Sequence, residues 1–243
     1  MRALTPSALL DAWEQAQGHG PTVRALALLA AAGPPAAWEE LSALPLGERD
    51  RRLLELREGM LGSRLEAVAR CSGCGEPLDV ELDTRELRAG AGTGAVEGEL
   101  SQEGLELRFR LLNSLDLLAA ERCGGIEEAR RRLAERCLLA ARREGAPVAA
   151  ADLAEEDVAA LAEALAAADP GAELLLELRC PACGSDWWEI LDVASFVWVE
   201  MEVQVRQLLR EVHALARAYG WREADVLALS PRRRRLYLEM VGA

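Results

Sequence analysis

Two copies of the motif Cys-x-x-Cys-Gly constrain the fold of this chain more than any other feature. The first pair is Cys71 and Cys74, and the second is Cys180 and Cys183. Each motif, called a knuckle below, predicts a tight turn that directs two thiolates to one point, and the glycine supplies the backbone freedom that the turn needs. A structural zinc ion takes four ligands. We therefore expect the two knuckles to face each other and to hold one structural Zn2+ ion in a closed four-cysteine site.

The separation between the knuckles is unusual for such a site. Cys74 and Cys180 are 106 positions apart, whereas the usual spacing is about 15 to 20 residues. Because loop entropy grows with the logarithm of length, the longer loop costs only about 1.6 kcal/mol more. Zinc binds small domains with about 10 to 16 kcal/mol. A redox dithiol in each pair, a disulfide between the pairs and an empty site remain as alternatives. A redox motif normally precedes a helix, whereas strand patterns follow both knuckles.

An internal repeat surrounds the knuckles. Alternation predicts one strand over Leu78–Asp83 and another over Trp187–Asp192, and each ends in Leu-Asp. In both copies the aspartate lies twelve residues after the first cysteine. The chain is therefore predicted to contain two copies of one knuckle-and-strand unit.

Apolar periodicity predicts helices in most of the remaining chain. The predicted helices are Ser7–Gln17, Thr22–Ala32, Leu46–Leu61, Ser114–Arg122, Ile126–Arg143, Asp152–Ala168 and Ala194–Tyr219, with a short turn near Ala37–Leu44 and a last helix that starts at Ser230-Pro231. Further strands are predicted at Leu105–Leu111 and Glu173–Arg179, and the glycines of Arg88–Gly98 predict a mobile loop.

These elements predict an α+β fold that is mostly helical, with a small antiparallel β unit built around the two zinc knuckles. We expect an N-terminal helical region at 1–68, a zinc-knuckle β unit with inserted helices at 69–193, and a long helix with a helical tail at 194–243.

Charge restricts the classes of partner. The chain has 28 arginines, no lysine and 41 acidic residues, which give a net charge of −13 at pH 7. Such a chain repels phosphate and anionic lipid, so we expect no general binding to nucleic acid or to membranes. The lack of lysine excludes P-loop and Schiff-base enzymes. No apolar segment is long enough to cross a bilayer or to act as a secretory signal, so we expect a cytoplasmic protein whose cysteines stay reduced.

The other reactive side chains are expected to be structural. Cys123 and Cys137 fit buried free thiols, His213 fits a flanking or core position on the long helix, and His19 fits a loop. None completes a catalytic set. We therefore expect no enzymatic activity and no small-molecule substrate.

Two surface clusters are candidates for contacts with partner proteins. A run of four arginines opens the last helix, where the macrodipole disfavours cations, so these side chains either pair with the chain's own acidic surface or bind an acidic partner. Two tryptophans follow the second knuckle; we expect one in the core and one partly exposed as an anchor. The candidate contact residues are Trp187, Trp188, Arg232, Arg233, Arg234 and Arg235.

Several stretches resemble a bacterial family related to the T4-type phage baseplate proteins and baseplate hub assembly chaperones. Besides the knuckles, the stretches are Leu46–Gly62, Cys137–Arg143 and Leu208–Asp225. The most specific parts are Arg-Asp-x-x-Leu-Leu-x-Leu-Arg and Tyr-Gly-Trp-x-Glu-x-Asp. The resemblance implies a non-enzymatic structural or chaperone-like component of the baseplate of a contractile tail or tail-like injection system. Its expected partners are other baseplate or hub proteins, and it is either incorporated in the particle or only escorts another subunit.

Two other classes remain open. One is a zinc-ribbon nucleic-acid-binding protein or transcription adaptor, whose binding would depend steeply on salt and on the arginine run. The other is an enzyme with an unrecognised site.

Overall fold

The fold is α+β and mostly helical, as predicted. A computed structural model describes residues 3–34, 38–89, 96–102 and 104–242. Their helices are α1 (Pro6–Ala16), α2 (Pro21–Ala32), α3 (Trp38–Ser42), α4 (Leu46–Leu61), α5 (Thr84–Ala89), α6 (Ser114–Ala120), α7 (Ile126–Cys137), α8 (Glu155–Ala168), α9 (Val193–Tyr219), α10 (Glu223–Leu227) and α11 (Pro231–Val241), with a 3-10 turn at Ala150–Asp152. The strands are β1 (Arg64–Arg70), β2 (Pro77–Asp83), β3 (Glu97–Gln102), β4 (Leu105–Arg110), β5 (Leu138–Arg143), β6 (Ala146–Pro147), β7 (Leu174–Arg179) and β8 (Asp186–Leu191).

The largest core lies between α1, α2, α4 and α9. Helix α9 presents a stripe of buried residues to the other helices, as its three-four spacing predicts. Arg57 of α4, which is only 3% exposed, donates through Nε and Nη2 to the carboxylate of Glu200 at 2.9 and 2.8 Å. Its Nη1 donates to the carbonyl of Gly62 at 2.6 Å. The Arg57 side chain therefore joins α4 to α9 and to the segment that precedes β1.

A second core lies between the antiparallel sheet β3-β4-β5-β6 and helices α7 and α8. The alternating residues Leu105, Leu107 and Phe109 of β4 all point into it. Gly98 lies opposite Phe109, and a Cβ at position 98 would lie 2.5 Å from the phenyl ring. The sheet can close over Phe109 because position 98 carries no side chain.

Several parts of the secondary structure differ from the prediction, and helix α5 and strands β3 and β6 are among the elements that the sequence pattern did not predict. Strand β1 occupies a region for which no strand was predicted. Leu138–Arg143 is strand β5 and not the end of a helix over Ile126–Arg143, because Leu138 ends α7 and pairs with Phe109. Here tertiary pairing overrides the weak local preference for helix.

Both ends of the predicted mobile loop at 88–98 belong to regular secondary structure. Its first two residues end α5, and its last two belong to β3. Residues 90–95 lie outside the described residues.

A third, smaller apolar cluster packs around the C-terminal end of α9. Tyr219 stacks on Trp221 with ring centroids 4.7 Å apart, and Tyr237 of α11 meets Trp221 edge-on at 4.9 Å. Ser230 caps α11 by accepting a hydrogen bond from the Arg233 backbone N–H at 3.3 Å, as predicted. None of the helices described combines the length and apolarity needed to cross a membrane.

Candidate metal centre

Each knuckle is the turn of a two-stranded antiparallel hairpin. The first connects β1 to β2 and the second connects β7 to β8. The internal repeat therefore extends further than the sequence pattern indicated, because a strand precedes the knuckle in both copies. Strands also follow both knuckles, as predicted.

The backbones of the two turns are almost identical. The Gly75 N–H donates to the carbonyl of Cys71 at 2.8 Å, and the Gly184 N–H donates to the carbonyl of Cys180 at 2.9 Å. The φ angles of Gly75 and Gly184 are 77° and 76°. A side chain is strained in this left-handed region, which explains the glycine after the second cysteine in each motif.

The four knuckle sulfurs form one cluster. The Sγ atoms of Cys71 and Cys183 are 3.6 Å apart, those of Cys74 and Cys180 are 3.7 Å apart, and all four lie within 4.8 Å of one another. Sulfurs at about 2.3 Å from a tetrahedral zinc ion are about 3.8 Å apart. A disulfide would need about 2.05 Å, and all four cysteines are free. The cluster therefore could hold a metal ion, and no disulfide joins the two pairs in this structure.

The cluster has an approximate two-fold arrangement. Cys71 and Cys180 are 3% and 2% exposed, whereas Cys74 and Cys183 are exposed. Each close sulfur pair joins the buried first cysteine of one knuckle to the exposed second cysteine of the other. The donors thus lie at the protein surface, with one cysteine of each hairpin turned inward.

The knuckles approach each other closely at Gly73. A Cβ there would lie 2.9 Å from the Ser185 hydroxyl oxygen and 3.7 Å from Cys183 Sγ. The Gly73 N–H also donates to Cys71 Sγ at 3.3 Å. Gly73 therefore donates a hydrogen bond to the sulfur of Cys71, and its lack of a side chain leaves room for the second knuckle.

The sulfurs cannot ionise independently. Hydrogen bonds from Ser185 lower the pKa of Cys183 to about 6. The backbone at Glu76 favours the Cys74 thiolate, but the three neighbouring sulfurs outweigh it and raise the pKa of Cys74 to about 12. Four thiolates this close repel one another strongly unless a cation lies between them. The donor set thus fits a divalent ion that prefers thiolates, and four protein ligands would leave it no open position for a substrate.

Each hairpin ends in an aspartate that caps the next helix. Asp83 accepts a hydrogen bond from the Arg85 N–H at 2.8 Å at the start of α5, and Asp192 accepts one from the Ser195 N–H at 3.0 Å at the start of α9. These are the repeated aspartates of the sequence pattern, whose capping role that pattern did not reveal.

The helices that follow the hairpins connect them to the main core. Arg88 of α5 pairs with Glu58 of α4 at 2.6 Å, so the first hairpin is held by α4. The second hairpin continues directly into α9. Since Arg57 and Glu200 join α4 to α9, the helical core itself brings the two halves of the cluster together.

The two tryptophans are more exposed than expected. Trp187 is half-buried, not in the core, and its Nε1–H donates to Glu189 at 3.2 Å. Trp188 is 63% exposed. They lie on opposite faces of β8 because neighbouring strand residues alternate, and Trp188 is the more exposed of the two.

The four arginines do not act as one basic surface. Arg234 is 5% exposed; it donates to Glu211 at 2.7 Å and to the carbonyl of Leu229 at 3.1 Å. Arg232, Arg233 and Arg235 are exposed and form no ion pair with any residue that the structure describes. Along α9, the contact at Glu211 is about 28 Å from the end of the second hairpin, at about 1.5 Å per residue. The arginines and the knuckles are therefore separate surfaces.

The other cysteines and the histidines lie apart from the cluster. Cys137 is fully buried, and burial raises the pKa of its thiol to about 11. Cys123 is half-buried, not fully buried, with Sγ 3.7 Å from the Ala119 carbonyl oxygen. His213 is exposed on α9, not in the core.

The chain matches no family model, no curated protein and no solved structure.

Proposed function

We propose that the protein is a zinc-stabilised, non-enzymatic scaffold that acts by contacts with other proteins. The observation that carries the proposal is the closed set of four sulfurs. Because all four positions around a tetrahedral ion would be taken by cysteines, the metal would hold two hairpins together and would not activate water or substrate. The role of the site is then to fix the surface that the hairpins present.

The resemblance described above gives this scaffold a setting. On that basis we propose a structural or chaperone-like component of a contractile, phage-tail-like baseplate, which works in the cytoplasm during assembly. Its partners are other baseplate or hub proteins. One of the specific stretches that carry the resemblance lies in α4. Arg57 in this stretch joins α4 to α9, and these two helices hold the two hairpins of the sulfur cluster. The same stretch therefore supports both the resemblance and the proposed metal site.

Metal analysis tests the zinc assignment. Protein purified without added metal or chelator should contain about one equivalent of zinc per chain by elemental analysis. A strong chelator should lower the melting temperature, and zinc should restore it, because binding of metal to the native state alone stabilises that state. Iron in place of zinc would contradict the assignment, and protein without metal that melts unchanged in chelator would contradict the site.

Co-purification tests the setting. Tagged protein expressed together with the tube, hub and wedge proteins of a contractile system should retain a hub or wedge protein through gel filtration, with the complex stable in moderate salt. A monomer that binds none of them would contradict the baseplate proposal. Duplex DNA binding that falls steeply with salt and disappears when Arg232, Arg233 and Arg235 are changed to Gln would favour the nucleic-acid adaptor instead.

A further inference from the structure

A groove of about 620 Å3 lies between the two hairpins and the first turns of α9. We call it the hairpin groove; residues 67–70 of β1, Leu176 and Leu178 of β7, residues 189–192 at β8, and Phe196 and Val199 of α9 line it. The sulfur cluster lies at the end where both hairpins turn. The groove is separate from the metal site but is shaped by the same two hairpins.

Open strand edges border this groove. Successive residues of β1 and β8 line it, whereas β7 contributes only the alternate residues Leu176 and Leu178. A sheet presents alternate residues on a face and successive residues along an edge. Each hairpin is a two-stranded sheet, so within the described chain the outer edges of β1 and β8 have no strand partner. Such an edge offers a row of backbone donors and acceptors to another chain.

Exposed apolar side chains lie in the groove and beside it. Ile190 and Val199 line the groove; Leu175 lies directly opposite Ile190 in the hairpin, Trp188 is two residues away on the same face, and Val203 is one turn further along α9. These five side chains are 50% to 63% exposed. Exposed apolar side chains grouped on a hairpin and the adjoining helix are typical of interaction surfaces.

The charge of the hairpins selects the partner. Residues 64–83 and 174–192 together contain nine acidic residues, five in the first segment and four in the second, but only three arginines. A second copy of this chain would bring two such acidic surfaces together, and nucleic acid would be repelled. A basic polypeptide segment is attracted.

We infer that the hairpin groove binds an extended segment of a partner protein with alternating apolar and basic residues, which adds as a strand to the open edge of β8 or β1. The main-chain hydrogen bonds supply affinity, and the alternate side chains that reach Ile190 and Val199 supply specificity. This inference goes beyond the proposed function, because it holds for a basic strand from a baseplate protein or from any other partner.

A synthetic peptide of alternating valine and arginine, about seven residues long to match a typical strand, is the probe. Calorimetry with the metal-loaded full chain should detect binding. N-methylation of the amides along one edge of the peptide should weaken binding at least about tenfold, because it removes the ladder donors. An alternating valine and glutamate peptide should bind at least about tenfold more weakly still.

Substitutions locate the site. Ile190→Asp and Val68→Asp, both at exposed positions, should abolish binding of the valine-arginine peptide. The matched control is Ile126→Asp on α7, since Ile126 is 79% exposed and lies outside the groove. Melting temperature and zinc content should match the wild type in all three variants, so failure of the groove is distinguishable from failure of the metal scaffold.

Several outcomes would overturn the inference. These are no binding of the peptide, equal binding of the N-methylated peptide, and undiminished binding by Ile190→Asp. A dimer in sedimentation that Ile190→Asp dissociates would assign the groove to a second copy. Single-stranded DNA binding lost in the same variant would assign it to nucleic acid.

Discussion

Cys71→Ser is expected to remove the bound metal and to lower the free energy of unfolding by several kcal/mol. Cys71 is buried, and its Sγ lies 3.6 Å from Cys183 Sγ in the other hairpin. Serine cannot replace a thiolate at a tetrahedral zinc ion, and the metal-binding free energy is part of the folding free energy. Chemical denaturation in the presence of zinc, together with metal content, measures both effects.

The control is Cys123→Ser, because Cys123 is a half-buried thiol outside the cluster. This variant should keep its metal and lose about 1 kcal/mol or less. If Cys71→Ser melts like Cys123→Ser and retains zinc, the structural role of the cluster is wrong.

A double variant distinguishes one shared ion from two independent pairs. If one ion joins both knuckles, Cys71→Ser already removes it, so the double variant Cys71→Ser, Cys180→Ser should lose little more stability than either single variant. Residues that share one partner are strongly non-additive. Additive losses of similar size would mean that each pair binds its own metal.

The geometry of each cysteine pair was predictable because it depends on local chemistry. A Cys-x-x-Cys-Gly turn needs only a few consecutive residues and a glycine with positive φ, so the motif alone predicts the geometry of the turn. The repeated aspartate was also visible as a spacing in the sequence, but its role as a helix cap became clear only from the structure.

Strand β5 was missed because its partner β4 is distant in sequence, whereas β1 pairs with β2 in a local hairpin. Leu138–Arg143 continues a helical pattern, and its pairing along β4 makes it a strand. β1 had one available signal: a strand precedes the second knuckle, so the repeat implied another before the first.

The long separation of the knuckles also has a structural explanation. The first hairpin is held by α4 and the second leads into α9, and these two helices are joined by Arg57 and Glu200 and by apolar packing. The intervening chain folds around its own core of β4, α7 and α8. Packing of the helices therefore brings the two knuckles together without requiring a bound ion.

Asp116→Ala is expected to destabilise the second core by about 3 kcal/mol. The Asp116 side chain is fully buried and accepts hydrogen bonds from Arg110 at 2.7 and 2.8 Å and from Arg136 at 2.7 Å. It also accepts the Asn113 backbone N–H at 3.0 Å. Without this carboxylate, the two guanidinium groups keep their partly desolvated positions and lose their partner. Chemical denaturation compares the variant with Glu135→Ala, which removes only the exposed pair with Arg132 and should cost about 0.5 kcal/mol or less.

The pH dependence of the same network has a defined sign. Burial tends to raise the pKa of Asp116, but the hydrogen bonds from Arg110, Asn113 and Arg136 outweigh it and hold the pKa below its usual value of 3.8. A carboxyl with a lowered folded pKa contributes stability that is present above its unfolded pKa and is lost as the pH falls through the folded value. The stability difference between the wild type and Asp116→Asn should therefore be constant near neutral pH and shrink below about pH 4. A difference that grows on acidification, or a cost no larger than that of Glu135→Ala, would mean that the network does not hold β4, α6 and α7 together.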